Sequence, residues 1–385
     1  MFLEQTVKKN PDLIDTAIAL HRTGAMMPDS FVVDMDTLME NAGHMLQTAR
    51  EADIRLFFML KQLGRNPFIA RELVNAGYEG AVVVDFKEAD LMMKAGIPIS
   101  NVGHLVQVPE SEVERVVAYG PEVITVFSME KIRSINRAAG KLGRKQGLLV
   151  RVYGERDHIY SGQTAGFALH DLEETVRMIQ KECLHVVIKG VTSFPCYLYD
   201  EEQQKIAPTS NLQTVLEAVE ILKGEGITCE IVNTPSATCA YTVGLMKQYG
   251  GTCGEPGHGL TGTTPMHAAQ DLAERPCVVY VSEISHNFDG KAYCFGGGHY
   301  RRSHVSKALV GSGRDGGRFL DVIPPTDESI DYHFGLSEPC EVGAAVIMAF
   351  RYQIFVTRSD VVLVKGISSG RPEIIGIYDS LGRRK

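Results

Sequence analysis

Short apolar runs alternate with segments of helical spacing over the first two thirds of the chain. Eight runs have the composition of β-strands: residues 31–33, 54–60, 81–84, 101–105, 123–127, 148–152, 186–191 and 229–232. Between them, apolar residues recur three and four positions apart, as in the stripe that begins at Leu212 after a candidate N-cap at Thr209 or Ser210. Repeated strand–helix units over roughly 230 residues predict a parallel sheet, and their count favours a closed (β/α)8 barrel.

An open, doubly wound sheet is the alternative architecture, but no GxGxxG pattern follows the first strand. After Pro276 the pattern changes to alternating runs at 277–284, 346–356 and 361–365, separated by turns rich in Gly, Asp and Pro. This pattern predicts an antiparallel β domain, and we expect a helix at 11–23 to pack against it. The predicted domains are therefore a barrel at 31–265 and a β-rich domain formed by 1–30 plus 266–385.

Composition excludes several classes of function. The 385 residues are 44% apolar and 22% charged, and their net charge of −8 argues against a nucleic-acid partner. No apolar run approaches the ~20 residues of a membrane span, and the first residues lack the pattern of a secretory signal. The eight cysteines show no CxxC spacing, which is typical of reduced thiols. We expect a cytoplasmic protein with no membrane partner.

Lys61 is the first candidate for chemistry, because it ends the apolar run 56–60. A lysine at the carboxyl end of a barrel strand points into the mouth where barrel enzymes place their sites. Burial lowers the pKa of such an amine, so that it can attack an aldehyde and form a Schiff base. The alternative is a lysine that extends to solvent at a strand end.

Two further segments have the composition of anion sites. Residues 254–262 are rich in glycine, which lets backbone N–H groups approach a phosphate, although a linker between domains would look similar. Residues 233–238 place hydroxyl groups at the start of a predicted helix, where they would bind an anion or simply cap the helix.

The order of these three elements resembles the fold-type III enzymes that use pyridoxal phosphate (PLP), such as alanine racemase, ornithine racemase, the basic amino-acid decarboxylases, D-threonine aldolase and D-serine dehydratase. In more detail the chain resembles the bacterial YhfX family. The resemblance covers most of the chain, and it is carried by residues 31–38, 58–61, 165–167 and 255–257.

The resemblance implies roles for individual residues. Lys61 would form the internal aldimine with PLP and later move a proton at the substrate Cα. The PLP phosphate would be held by Ser236, Thr238 and the backbones of Gly257 and His258, with Arg65 as a further candidate or a plain surface residue.

Three positions depart from alanine racemase. Glu255 stands where the racemases place an arginine against the pyridine nitrogen; a carboxylate keeps that nitrogen protonated and makes the ring a stronger electron sink. Decarboxylation, retro-aldol cleavage and elimination then become open, unless Glu255 merely caps a loop. Arg151 replaces a lysine, and we expect it to pair with a carboxylate or a cofactor oxygen. Phe194 replaces a histidine and either stacks on PLP or belongs to the core.

Residues 296–302, Gly-Gly-Gly-His-Tyr-Arg-Arg, form a polar, glycine-rich segment of the β domain. In the racemases a tyrosine from this domain acts as the second base across a dimer, so His299 and Tyr300 are the candidates here, and a two-fold homodimer is implied. A solvated hairpin turn is the alternative. Residues 349–353 lack the ligands that bind a metal in the aldolases and dehydratases, so we expect no catalytic metal.

The sequence thus favours a PLP-dependent amino-acid racemase. The alternatives are a PLP-dependent lyase, favoured by Glu255, and a non-catalytic PLP-binding protein, which the additional β domain disfavours. A metal-dependent barrel hydrolase is the weakest reading, since His104, His158 and His185 show no paired ligand spacing.

Overall fold

A computed structural model of the chain describes residues 2–311, 313 and 316–385. These residues form two compact units. The barrel unit contains residues 45–60 and 67–257, and the sheet unit contains the described residues of 1–44, 61–66 and 258–385. In the described residues no helix is both long enough and apolar enough to cross a membrane.

The strands are numbered in chain order. They are β1 (Ser30–Asp34), β2 (Arg55–Leu56), β3 (Ala81–Val83), β4 (Ile99–Val102), β5 (Val123–Val126), β6 (Gln146–Tyr153), β7 (Phe167–Ala168), β8 (Val186–Thr192), β9 (Tyr197–Asp200), β10 (Lys205–Pro208), β11 (Ile231–Asn233), β12 (Cys253–Gly254), β13 (Val278–Phe288), β14 (Lys291–Phe295), β15 (Lys307–Val310), β16 (Arg318–Ile323), β17 (His333–Leu336), β18 (Ala345–Met348), β19 (Asp360–Lys365) and β20 (Glu373–Tyr378).

The α-helices are α1 (Phe2–Lys9), α2 (Pro11–Arg22), α3 (Met35–Ala52), α4 (Pro67–Ala76), α5 (Phe86–Lys94), α6 (Val113–Tyr119), α7 (Met129–Lys141), α8 (Leu172–Glu182), α9 (Ser210–Gly224), α10 (Ala240–Tyr249) and α11 (Pro265–Ala269). Short 3-10 helices are formed by Lys61–Leu63, Glu110–Glu112, Leu169–Asp171 and Ile354–Val356.

The barrel unit contains the predicted closed barrel. Its parallel strands follow one another in the order β2, β12, β11, β8, β6, β5, β4 and β3. A parallel bridge between Phe58 and Ala81 joins the two ends, and the amide of Val82 donates to the carbonyl of Phe58 at 2.8 Å. Because the ring closes, the open-sheet alternative is wrong.

The apolar core inside the barrel is drawn from most of its strands. Its members are Phe57, Met59, Val82, Val123, Leu149, Ile231 and Cys253. Side chains on a strand alternate between its two faces, so residues two positions further along point to the same side. The residues two positions after these core residues, toward the carboxyl ends of the strands, therefore form the next layer of inward-pointing side chains.

One strand assignment was wrong. The run 31–33 is not a barrel strand, because β1 pairs antiparallel with β13 and parallel with β19 in the sheet unit. The barrel is completed instead by β12, which has only two residues and pairs with β11 and β2. A strand this short carries no apolar run, so periodicity gave no signal for it. The domain ranges 31–265 and 1–30 plus 266–385 stay a prediction.

The sheet unit is built on nine strands, in the order β14, β17, β16, β15, β18, β13, β1, β19 and β20. Strand β13 also pairs with β14, so that six antiparallel strands close on themselves. A register shift between Ile284 and His286 lets this long strand serve both partners. This is the predicted antiparallel domain.

Both faces of β1 are buried. On one face, Val32 packs in a core that includes Leu13, Ile14 and Ile18 of α2, as expected for that helix. On the other face, the ring of Phe31 lies 5.0 Å from the ring of Tyr280 and 5.4 Å from that of Tyr352. A strand buried on both sides reads as a continuous apolar run, which explains its resemblance to a barrel strand.

Replacing Phe31 should therefore destabilise the protein. Phe31→Ala removes a ring that is 0% exposed, and we expect it to lower the free energy of unfolding by about 3–5 kcal/mol, measured by chemical denaturation. Phe319→Ala is the matched control, because this ring is 47% exposed and its loss should cost about 0.5 kcal/mol or less. Equal losses in the two variants would contradict the burial of β1.

Candidate functional site

A polar layer lies directly above the apolar core of the barrel. Thr125, Arg151, Asn233 and Glu255 each stand two residues after a core residue, namely Val123, Leu149, Ile231 and Cys253. They therefore share the inward register at the carboxyl ends of β5, β6, β11 and β12. This end of a parallel barrel is where barrel enzymes place their sites.

The carboxylate of Glu255 is the centre of this layer, and its side chain is only 2% exposed. Its Oε1 accepts hydrogen bonds from the amide Nδ2 of Asn233 at 2.8 Å and from that of Asn101 at 3.4 Å. Its Oε2 lies 3.8 Å from Nε2 of His104. The bond from Asn101 crosses the barrel interior, because β4 and β12 are not neighbours. Glu255 is therefore not a solvent-facing loop cap.

A second set of hydrogen bonds fixes the two amide groups. The hydroxyl of Thr125 donates to Oδ1 of Asn101 at 2.7 Å, and Nδ2 of Asn233 lies 3.1 Å from the hydroxyl of Thr192. Asn101 and Asn233 are both fully buried. Since each amide is held by a neighbouring strand, both point their N–H groups at the same carboxylate oxygen.

Aromatic rings continue outward from His104. The ring of Phe194 lies 5.9 Å from that of His104, edge to face, and also 5.9 Å from that of Tyr160. Tyr160 in turn contacts the ring of His158 at 4.5 Å. Phe194 is thus part of an aromatic row that begins beside Glu255, and its stacking on a cofactor stays a prediction.

Arg151 is buried at 2% exposure within β6. Its guanidinium donates to the carbonyl of His104 at 3.2 Å and to that of Gln163 at 2.9 Å, and it lies over the ring of Phe127. Burial lowers its pKa from the ordinary value. Main-chain carbonyls thus accept these two bonds where the sequence led us to expect a carboxylate, and its role toward a cofactor oxygen stays a prediction.

The hydroxyl-rich turn after β11 is tied to the segment that carries Glu255. The backbone N–H of Glu255 donates to the hydroxyl of Thr238 at 3.2 Å, and the hydroxyl of Ser236 donates to the carbonyl of Tyr197 at 2.6 Å. Between them, Ala237 has a φ of 52°. The hydrogen bond to Thr238 therefore fixes the turn next to Glu255. Helix α10 begins only at Ala240, after the turn.

In the sheet unit, Lys61 opens the 3-10 helix Lys61–Leu63 and is half-buried. Arg65 follows with a φ of 55° and is 4% exposed, so it is not a plain surface residue. Its guanidinium lies 4.9 Å above the ring of Phe355. A buried cation is attracted to the electron-rich face of an aromatic ring. The contact of Arg65 with a phosphate stays a prediction.

His258 belongs to the same unit as Lys61. Its Nδ1 lies 3.0 Å from the hydroxyl of Thr263, and the amide of Gln353 lies 3.3 Å from its Nε2. Burial is the main cause that holds the pKa of His258 well below 6.5, and the positive charges of Arg351 and Lys61 lower it further. The imidazole is therefore neutral at pH 7, and the amide of Gln353 donates to it.

The segment with His299 and Tyr300 follows β14 in the sheet unit. The backbone N–H of His299 donates to Asp331 at 3.2 Å, and its ring lies 5.7 Å from that of Phe334. Burial lowers the pKa of His299 below 6.5. Tyr300 is half-buried, and its carbonyl accepts a hydrogen bond from the N–H of Ser303 at 2.8 Å.

Asp29 lies beside this segment, with a φ of 61°. The hydroxyls of Tyr280 and Ser359 donate to its Oδ1, the former at 2.9 Å. Burial raises the pKa of Asp29 to about 6, an effect that these two hydrogen bonds and the charge of Arg358 only partly offset.

Sequence reasoning missed Asn101, Asn233 and His104 as site residues. A signal was present, because Asn233 is the lone polar residue of Ile231–Asn233, and Asn101 follows the apolar Ile99 by two positions in Ile99–Val102. A polar residue two positions after an inward apolar one marks the functional end of a barrel strand. From the sequence alone, His104 is considered only as a metal ligand.

Comparison with known proteins agrees with the two-part architecture. Residues 33–265 match the family model described as alanine racemase, N-terminal domain, and residues 279–374 match that described as YhfX-like, C-terminal domain. The uncharacterized protein YhfX of Escherichia coli (strain K12) is 47% identical over 385 residues, which cover 99% of each chain.

Two solved structures share the fold at low sequence identity. D-threonine aldolase from Filomicrobium marinum superposes with a TM-score of 0.67 and 17% identity, over 92% of this chain and 95% of that one. Alanine racemase of Clostridium difficile 630 in complex with cycloserine gives a TM-score of 0.66 and 17% identity, over 92% of this chain and 99% of that one. At this identity the likeness concerns the fold.

The raised pKa of Asp29 predicts a pH dependence of stability. Because the folded value is about 6 and the ordinary one 3.8, this group contributes stability that is fully present below pH 3.8 and is lost as the pH rises through 6. Asp29→Asn removes the titrating carboxyl group and therefore this loss of stability at rising pH. The free energy of unfolding of the variant should rise relative to that of the wild type between about pH 4 and pH 7. Denaturation at a series of pH values measures this, with exposed Glu341→Gln as the control. Parallel curves for Asp29→Asn and the wild type would refute the assignment.

Proposed function

This chain belongs to the YhfX family of alanine racemase-like proteins, and we propose that it is a PLP-dependent amino-acid racemase in which Lys61 carries the cofactor. The observation that carries the proposal is the buried carboxylate of Glu255, held by amide groups at the carboxyl end of a closed parallel barrel.

The residues around Glu255 fit a pyridinium ring. A carboxyl group that is 2% exposed needs hydrogen-bond partners or positive charge to stabilise it. The amide hydrogen bonds from Asn101 and Asn233 both reach Oε1, so a protonated ring nitrogen would suit Oε2, on the side of His104. Phe194, edge to face with His104, offers an aromatic surface next to that position. The turn that contains Ser236 and Thr238 would receive the phosphate.

The position of Lys61 in the sequence supports its role. Met59 belongs to the apolar layer of the barrel, and Lys61 follows it by two residues, as Glu255 follows Cys253 and Asn233 follows Ile231. The strand leading to it runs beside the segment of Glu255, since the amide of Met59 donates to the carbonyl of Pro256 at 2.9 Å. Lys61 is one of the groups whose charge lowers the pKa of His258, which supports a position of its amine near the predicted phosphate loop.

PLP, when bound, withdraws electrons from the substrate and makes its Cα proton acidic. Racemisation then needs one base on each face of Cα. Lys61 would move the proton on one face, and His299 or Tyr300 on the other. We infer that the second base comes from the partner in a two-fold homodimer, and that the substrate is an amino acid.

A PLP-dependent lyase is the second candidate, and Glu255 itself favours it. A carboxylate against the ring nitrogen strengthens electron withdrawal, which also permits decarboxylation, aldol cleavage or elimination. The fold does not choose between the two, because a racemase and an aldolase superpose on this chain equally well.

Lys61→Met should abolish covalent binding of PLP. Wild-type protein reconstituted with PLP should develop a visible absorption band that borohydride removes, and peptide mapping should find the reduced adduct on Lys61. Lys247→Met is the control, because Lys247 is an exposed lysine in the same protein. A colourless wild type, or an adduct that persists in Lys61→Met, would overturn the proposal.

The reaction class is tested by incubating the holoenzyme with amino acids in deuterium oxide. A racemase exchanges the α-hydrogen, produces both enantiomers and keeps the carbon skeleton, and NMR measures all three. Glu255→Gln should slow exchange about 100-fold or more, because it removes a charge placed to stabilise the transition state. Exposed Glu230→Gln is the control. Release of carbon dioxide, an aldehyde or ammonia would replace the racemase assignment by a lyase.

A further inference from the structure

The glycine loop, defined here as Gly296–Tyr300, is tightly enclosed although its composition suggests a flexible turn. At Gly297 the φ is 129°, and a Cβ built there would overlap the carboxylate of Asp29. A Cβ built at Gly298 would overlap the ring of Tyr280. Glycine is required at these positions because the backbone approaches a carboxylate and an aromatic ring closely.

The loop backbone is anchored at successive positions. The N–H of Gly296 donates to the carbonyl of Tyr332 at 2.7 Å, and the carbonyl of Gly297 accepts from the N–H of Arg358 at 3.1 Å. The N–H of His299 then donates to Oδ2 of Asp331 at 3.2 Å. The loop is therefore held by segments that lie more than thirty residues away in the sequence.

Two aspartates complete these anchors. The position of Asp29 against Gly297 is fixed by the hydroxyls of Tyr280 and Ser359. Asp331 accepts from His299 with one oxygen, while its other oxygen pairs with the guanidinium of Arg358 at 2.8 Å. The charge-assisted hydrogen bonds of Asp331 are stronger than neutral ones and order the backbone of His299, whereas Asp29 restrains the loop by close packing against Gly297.

The same contacts separate His299 from Tyr300. The backbone of His299 is bonded to Asp331 and its ring packs edge to face on Phe334, whereas the carbonyl of Tyr300 serves a local turn to Ser303. Among the described residues, Nδ1 of His299 is buried without a hydrogen-bond partner. An acid–base group must be held in a fixed position to act, and the backbone bond and ring contact of His299 restrain it.

We propose that Asp29 and Asp331 are positioning residues that hold the glycine loop, and that His299 is the acid–base group which the loop presents. This deepens the proposed function and rests on it for the role of His299. The ordering of the loop by the two aspartates is a separate physical claim.

Limited proteolysis tests the ordering without reference to activity. Trypsin cleaves after Arg301 and Arg302, which are exposed at the end of the loop. In the full-length protein under native conditions, Asp29→Ala and Asp331→Ala should speed cleavage at these two bonds about tenfold. Asp29→Asn keeps the one acceptor oxygen that Tyr280 and Ser359 use and should stay within about twofold of the wild type, whereas Asp331→Asn loses one of two acceptors and should speed cleavage in part. Glu341→Ala, an exposed carboxylate of the same unit, is the control.

NMR titration of His299 gives a second readout. In the wild type its pKa lies below 6.5 mainly because of burial, and release of the loop should move it toward 6.5 in Asp29→Ala; in Asp331→Ala the loss of a negative charge that raises this pKa opposes the shift. The resonance is assigned by its loss in His299→Gln. Should either Ala variant fail to fold, Gly297→Ala perturbs the same contact from the opposite side. Unchanged cleavage and titration in the loop variants would overturn the positioning claim.

Hydrogen exchange at the substrate Cα then tests His299 itself. His299→Gln should lose exchange on one face about 100-fold or more, and Tyr300→Phe should retain it. The reverse result would overturn the choice of His299. If the wild-type protein binds no PLP, the proposed function fails, whereas cleavage and titration still decide whether the aspartates order the loop.

Discussion

The burial of one carboxylate inside a closed barrel constrains the rest of the candidate site. Removing the carboxyl group of Glu255 from water is costly, and the barrel offsets this cost by aiming amide groups at it from Asn101 and Asn233. These amides are in turn held by hydroxyls on adjacent strands. Because the donors come from several strands, the arrangement exists only when the ring is closed. The hydrogen-bond acceptor that Glu255 would offer a cofactor thus depends on the closed fold as much as on this one residue.

Much of the barrel was predictable because its strands are buried and short. Apolar runs separated by helical stripes gave strands at 81–84, 123–127 and 186–191 and the helices that follow them, and the closed ring is confirmed. Hydrophobic periodicity misassigned the first strand of the predicted barrel and gave no signal for the last one. Ser30–Asp34 is apolar on both faces but pairs in the sheet unit, while the two residues of Cys253–Gly254 complete the barrel with no pattern at all. Strand pairing is decided by contacts between distant residues, and periodicity does not record them.

The site was predictable in its residue types and less so in its geometry. Register alone would have grouped Glu255, Asn233 and Arg151, since each follows an inward apolar residue by two positions. The bond from Asn101 to Glu255 crosses the barrel, so it follows from closure rather than from spacing. In the glycine loop, composition predicted a turn. The contact between Gly297 and Asp29 joins residues that are far apart in the sequence. It orders a segment whose glycine-rich composition predicts flexibility.

The two units bear on different parts of the chemistry. Glu255, in the barrel unit, would set how strongly a bound ring withdraws electrons, and this serves racemisation and cleavage alike. The glycine loop, in the sheet unit, bears on the acid–base group that racemisation requires on the second face of Cα. Close packing of Gly297 and Gly298 against a carboxylate and an aromatic ring holds this loop in one backbone conformation. A fixed acid–base group on this loop would complete a racemase, which needs one base on each face of Cα.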